Sequence, residues 1–424
     1  MKKSFRRLLA AAIVAGSLFT ASPADAEVKT YEAVGEYYMS DFETFDVAQQ
    51  RAKKRAEQAA CEQASVFVKS YSRSVNSKLV EDEIIAMTSG ILKVINVQFQ
   101  REYADNTTLI RATIKAQIDS DDIGKWNDMN ANQRNDLISQ YEALRKAYDE
   151  QEKQLAELRG QAEKATTQEE RKRITQEFVA EDKIFLSNQK TEEATKFWKN
   201  KDYSGAIKLC NEALKLNQNN SIAYMRRGAV YESLQNYGQA LVDFNKAIEL
   251  DPNNAKAYTN RGNVYSSLQN YGQALVDFNK AIELDPNYAK AYTNRGIVYA
   301  SLQNYGQALV DFNKAIELDP KYAAAYTNRG NVYASLQNYG QALVEYTKAI
   351  ELDSNNAYAY NNRGFVYASL QNYGQALVDY NKAIELDPKY AKAYNNRGRC
   401  YQKLGEDAKA QADFAKAKQL GFNG

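Results

Sequence analysis

Five asparagines recur once every 34 residues: Asn260, Asn294, Asn328, Asn362 and Asn396. A carboxamide donates and accepts hydrogen bonds at once. A row of them at fixed pitch can therefore hold a strand of peptide backbone without reading its side chains. Thr259, Thr293, Thr327, Asn361 and Asn395 stand beside the row, and Lys256, Lys290 and Lys392 lie one turn earlier. A competing explanation needs no ligand. Units copied whole share all their residues, and Ser267 and Gln269 recur just as faithfully.

Covalent chemistry has little to work with. The chain contains no histidine, which removes Ser-His-Asp and Cys-His catalysis and histidine metal sites. There is no G-x-x-x-x-G-K-S/T, G-x-G-x-x-G or G-x-S-x-G run, and no cysteine pair at metal spacing. Glu81-Asp82-Glu83 and Asp121-Asp122 read as solvated surface. No catalytic residue, metal or cofactor is expected, and the chain reads as a non-enzyme. The net charge of +2, with 25% charged residues, argues against nucleic acid as a partner. Three cysteines, Cys61, Cys210 and Cys400, do not make a disulfide framework.

The asparagines belong to a larger repeat. Tyr224, Tyr258, Tyr292, Tyr326, Tyr360 and Tyr394 keep the same step of 34, as do Gly228, Gly262, Gly296, Gly330, Gly364 and Gly398. A fixed period of this size marks a solenoid whose units stack only on their neighbours. Within one unit Tyr258, Arg261, Gly262, Tyr265 and Leu268 fall on one face of a first helix. Asn270 caps a second helix carrying Tyr271, Ala274, Leu275, Phe278, Ala281 and Ile282. Asp285-Pro286 ends it. The arginine before each glycine needs an acceptor if partly buried, and Asp243, Asp277, Asp311, Glu345, Asp379 and Asp413 are expected to supply it.

Tyr258, Arg261-Gly262, Tyr265, Ala274, Phe278, Ala281 and Pro286 resemble the tetratricopeptide repeat. The departures are arginine where the family has leucine before glycine, and Gln269 where it has glycine between helices. The resemblance implies a concave groove lined by the first helices, holding extended peptides or partner helices. It also implies that Asn260, Asn294, Asn328, Asn362 and Asn396, with Lys256, Lys290 and Lys392, face that groove. Only part of the family's carboxylate clamp is present.

Residues 1–26 have a basic start, an apolar run from Leu8 to Phe19 and the A-x-A site Ala24-Asp25-Ala26. That pattern predicts a signal peptide and export to the periplasm or cell envelope, or secretion, with no integral membrane segment after cleavage. Residues 27–120 predict a small α+β domain: a strand from Val28 to Met39, an alanine-striped helix from Glu43 to about Tyr71, a helix from Leu79 to Met87 ended by Gly90, and a hairpin. In the hairpin Ile95, Val97 and Phe99 form one inner row, and Ile110, Ala112, Ile114, Ala116 and Ile118 the other. Gly35 to Phe42, AQQRAKKRAEQAA and SGILKVINV resemble the N-terminal domain of flagellar T-ring-type proteins and of small bacterial surface lipoproteins.

Residues 121–186 read as a helical linker. Leu137, Tyr141, Leu144, Tyr148, Gln151, Leu155 and Leu158 form a heptad seam. It serves either as a coiled coil that makes a homodimer through 137–158 or as an intramolecular hairpin, which the shortness of the seam favours. Residues 187–424 carry seven units: 187–220, 221–254, 255–288, 289–322, 323–356, 357–390 and 391–424, the last a cap with polar Asp407, Gln411 and Lys418. The fold expected is mainly α, an α–α superhelical solenoid behind an α+β domain and a helical linker. The function expected is a scaffold binding a protein or peptide partner, or else a structural envelope component with the solenoid as spacer.

Overall fold

The computed structural model describes residues 28–74, 81–104, 107–128 and 131–422. The signal-peptide reading, the Ala104-Asp105-Asn106 turn and the side chains of Leu137 and Tyr141 lie outside the described residues. The chain opens with β1 (Val28–Met39), α1 (Phe45–Ser74), α2 (Glu81–Ile91), β2 (Lys93–Ala104), β3 (Thr107–Asp119) and α3 (Ser120–Asp128). Two long helices follow, α4 (Ala131–Lys164) and α5 (Gln168–Lys199).

The three strands form an antiparallel sheet in the order β1-β3-β2. The alanine stripe of α1, Ala48, Ala52, Ala56 and Ala60, packs on Ala33, Tyr37, Ile110, Ala112, Ile114 and Ala116. Alanines let the helix lie close. At Gly35 a Cβ would stand 2.1 Å from the carbonyl oxygen of Ala52, so only glycine fits beneath α1. Two helix limits differ from expectation: α1 runs to Ser74, and Gly90 lies inside α2 rather than ending it.

The inner row of β2 also needs correction. Val94 pairs with Ala116 and Asn96 with Lys115, leaving Ile95 as the extra residue of a β-bulge. Ile95 is 50% exposed, and Val94 takes its place on the inner face with Val97. Alternation alone cannot reveal a bulge, because one inserted residue shifts the phase of all that precede it.

α4 and α5 form an antiparallel hairpin. Thr167 caps α5 with a capping box to Glu170. Leu144, Tyr148, Gln151, Leu155 and Leu158 are all buried within the one chain. Leu155 and Leu158 meet Ile174 and Phe178, while Tyr148 meets Phe185 and Val47. Over 144–158 the seam is covered by α5 and by the N-terminal domain, so this stretch is not free to make the homodimer expected through 137–158, and the intramolecular hairpin describes it. The boundary at 187 falls inside α5, which is continuous from linker to first repeat.

The junction carries buried charge. Arg51 of α1 reaches Asp182 of α5 at 3.0 Å, Tyr37 at 3.2 Å and Glu43 at 3.4 Å. Tyr37 donates a hydrogen bond to Glu43. Phe42 stacks on Phe178 with ring centroids 5.6 Å apart. Lys54 pairs with Glu192 at 2.5 Å.

The repeat helices follow: α6 (Tyr203–Leu216), α7 (Ser221–Ser233), α8 (Tyr237–Leu250), α9 (Ala255–Ser267), α10 (Tyr271–Leu284), α11 (Ala289–Ser301), α12 (Tyr305–Leu318), α13 (Ala323–Ser335), α14 (Tyr339–Leu352), α15 (Ala357–Ser369), α16 (Tyr373–Leu386), α17 (Ala391–Lys403) and α18 (Asp407–Gln419). Ala274 and Phe278 of one unit pack with Val298 of the next, and this triplet recurs along the stack. A Cβ on Gly262 would stand 2.8 Å from the Phe278 ring. Leu268, expected on the packed face, is instead a half-exposed C-cap residue. Tyr258, Tyr265 and Tyr271 flank the core, half-buried, whereas Tyr346 and Tyr380 stand within it in the place that Phe278 takes in its own unit.

Candidate peptide-binding groove

The arginines brace the first helices on which the candidate residues stand. Arg261 donates to Asp277 through Nε at 2.8 Å and Nη2 at 2.7 Å, and through Nη1 to Asn245 of the preceding unit at 2.7 Å. Arg227, Arg295 and Arg397 repeat the pattern with Asp243, Asp311 and Asp413, and Arg363 with Asp379. Arg329 forks onto both oxygens of Glu345 at 2.8 Å. Each carboxylate is buried, and its hydrogen bonds raise the pKa of Arg227, Arg261, Arg295, Arg363 and Arg397 above the usual value. Each guanidinium also lies about 5.5 Å from the ring of the tyrosine three residues earlier, as Arg261 does over Tyr258. Planar bidentate pairs fix geometry as well as charge.

First helices approach one another from unit to unit more closely than second helices do. The stack therefore curves with its first helices inside. Asn260, Asn294, Asn328 and Asn362 are half-buried there, and Asn396 is buried. Four of the carboxamides are already engaged. Asn294 donates to Asn263 at 2.7 Å, Asn362 to Asn331 at 2.9 Å and Asn396 to Asn361 at 3.0 Å, each bridging neighbouring first helices. Asn328 donates to Ala324 of its own helix at 2.8 Å. Each still has hydrogen-bonding capacity beyond the single donation described. Thr259, Thr293 and Thr327 are buried, with hydroxyls donating to the carbonyl four residues earlier, so they do not line the surface.

At the start of the stack the first helices α7 and α9 and the entry to α11 enclose a cavity of about 780 Å³. It brings together Lys256, Asn260 and Lys290. Asn328, Asn362, Asn396 and Lys392 lie outside it, further along the solenoid. Residues not singled out from the sequence complete the wall, chiefly Trp198, Met225, Asn263 and Tyr288. Asn263 stands three residues after Asn260 and so on the same face, a spacing visible in advance. Trp198 comes from α5, and only the continuity of that helix carries it there. Its Nε1 donates to Ser233 at 3.2 Å. The wall is mixed: apolar Trp198, Ile222 and Met225 stand beside cations, carboxamides and the carboxylates Glu232, Asp251 and Asp285.

The cysteines are buried and unpaired with one another. Burial pushes the Cys61 and Cys210 thiols up to about 12 and Cys400 up to about 11. They are packing residues, not nucleophiles.

Comparison with known family models agrees with this architecture. Residues 221–254, 255–288, 289–322 and 357–390 match a tetratricopeptide repeat model, 330–371 match a TPR repeat model, and 312–344 and 379–412 match a further tetratricopeptide repeat model. No curated protein matches the chain. Among solved structures, a tetratricopeptide repeat protein from Parabacteroides merdae ATCC 43184 is 23% identical, with a TM-score of 0.47 over 56% of this chain and 94% of that one. YrrB, described as a TPR protein with an unusual peptide-binding site, is 31% identical, with a TM-score of 0.33 over 42% of this chain and 92% of that one. PilW, described as a type IV pilus biogenesis factor, is 22% identical, with a TM-score of 0.45 over 49% of this chain and 96% of that one. The stack from 221 to 412 is thus a solenoid of tetratricopeptide repeats.

Proposed function

We propose that the chain is an exported, non-enzymatic scaffold whose solenoid holds an extended peptide or partner segment along its first helices. Tetratricopeptide repeats are protein-interaction modules, which gives the partner class. The observation that carries the finer reading is the 780 Å³ cavity where Lys256, Asn260 and Lys290 meet Trp198 and Met225. A concave surface that sets apolar side chains beside many polar and charged ones suits a peptide segment, which carries both. Asn294, Asn328 and Asn362 continue the polar track beyond it.

Replacing those three asparagines with alanine should weaken partner binding by roughly one to three powers of ten, from about 0.5–1.5 kcal/mol per hydrogen bond. A modest loss of stability should accompany it, because Asn294 and Asn362 bridge adjacent units. A photo-crosslinker at Asn260 or Lys290 in the full chain should trap the same protein. Crosslinks arising only from Val310 on a second helix would overturn the groove reading. They would favour the second one, a rigid envelope spacer, for which the firm Arg51–Asp182 junction speaks. Export is part of the proposal: the cellular protein should begin at Glu27, and an intact Met1 would contradict it.

A further inference from the structure

The sheet of the N-terminal domain has two edges, and they differ. On β1, Arg55 donates to the Glu36 carbonyl at 2.8 Å and Arg159 to the Tyr38 carbonyl at 2.9 Å. Carbonyls that would template a further strand are thereby occupied. On β2, among the described residues, no hydrogen bond reaches the backbone edge that faces away from β3. The helix α1 packs against β1 and β3 and barely reaches β2. The inner row of β2 is left open as a result: Phe99 is 37% exposed and Tyr103 is 75% exposed. A twelve-residue edge with exposed aromatics is an uncapped template for another strand.

We propose that β2 pairs with β2 of a second copy, antiparallel about a two-fold axis at Gln100, joining two three-stranded sheets into one of six. The pattern of side chains on β2 is what selects a second copy. An isologous interface must be self-complementary, and this register is. Gln100 as centre sets Val97 against Tyr103, Phe99 against Arg101 and Gln98 against Glu102. These are a β-branched–aromatic pair, a cation–ring pair and a carboxamide–carboxylate pair, all favourable across strands. Arg101 already lies 5.2 Å from the Phe45 ring and 4.7 Å from the Tyr103 ring, so cation–ring packing is its mode here. Centring on Arg101 would oppose two guanidiniums. Centring on Phe99 or earlier would bring the bulge at Ile95 into the ladder. The run 97–103 is clear of both problems. This surface is distinct from the buried α4 seam and from the solenoid groove, both of which it leaves untouched.

The full chain is the material for the test. Sedimentation velocity over a concentration series should show a reversible dimer. Gln100 is exposed, and Gln100→Glu or Gln100→Lys alone sets like charges opposite each other across the axis. Each should weaken the dimer severalfold, and an equimolar mixture of the two should restore it. Gln100→Cys should oxidise to a disulfide-linked dimer, since residue 100 faces its own copy, whereas Asn96→Cys should not. The three native thiols are buried and do not compete. A chain that stays monomeric at every concentration overturns the proposal, including the case where the β2 edge instead captures a strand of a different protein. So does a dimer indifferent to the Gln100 charges, or one in which the Asn96→Cys variant links as readily as Gln100→Cys.

Discussion

A single backbone angle marks the place where this sequence departs from its family. Gln235, Gln269, Gln303, Gln337 and Gln371, at the turn between the two helices of each unit, all have φ between 57° and 62°. Gly405 holds the equivalent place in the last unit with φ 77°. The left-handed region costs an L-residue roughly 1–2 kcal/mol, and glycine offsets about 0.5–1 kcal/mol of that gain through its looser unfolded chain. Gln303→Gly should thus stabilise the solenoid by roughly 0.5–1 kcal/mol, and three such changes together should raise its melting temperature measurably. Unchanged or lowered melting would mean that glutamine has a compensating contact. Nothing in the structure explains why glutamine stands there. The Arg–Asp pairing, by contrast, was legible from residue types alone, because a semi-buried guanidinium recurring at fixed pitch must find a carboxylate recurring at the same pitch.

At the scale of elements, the junction between α1 and α5 rests on charge that water barely reaches. Burial pushes the Asp182 carboxyl up to about 6, opposed by Arg51 and reinforced by Glu43 and Glu181. A carboxyl raised above its ordinary value contributes stability that is present below that value and lost as pH rises through about 6. Acidifying from pH 7 toward 4 should therefore strengthen the junction where Asp182 is concerned. Asp182→Asn should flatten this dependence, seen as a smaller change in melting temperature across that range than in the parent. Parallel curves for the two proteins would show that the carboxyl titrates normally. No local pattern pointed to this pair, whose members are 131 residues apart.

For the molecule as a whole, the parts should separate unequally. Repeat units contact only neighbours, so the solenoid draws its stability from within. Residues 187–424 keep the packing of α5 on α6, including the bonds from Asn220 to Ser187 and Asn188. That fragment should retain its helical signal and most of its melting temperature. A fragment from 168 instead bares Ile174, Phe178 and Phe185, which are buried against α4 and the N-terminal domain. It should self-associate, and light scattering on both fragments would tell. If the 187 fragment is the one that aggregates, the solenoid depends on the linker more than its contacts indicate.

Sequence by itself determined what depends on near neighbours. The 34-residue period, the capping asparagines, the proline stops, the polar last helix and the limits of β1 all follow from spacing and residue type. So does the absence of histidine chemistry. Tertiary structure alone decided the rest. It placed Ile95 in a bulge, because the phase of a strand is set by its partner's register. It buried the α4 seam inside one chain, because an apolar stripe does not state whether its cover comes from the same molecule or another. It engaged Asn294, Asn362 and Asn396 between adjacent first helices, because a carboxamide takes whatever partner lies within reach, and reach is fixed only when the units stack.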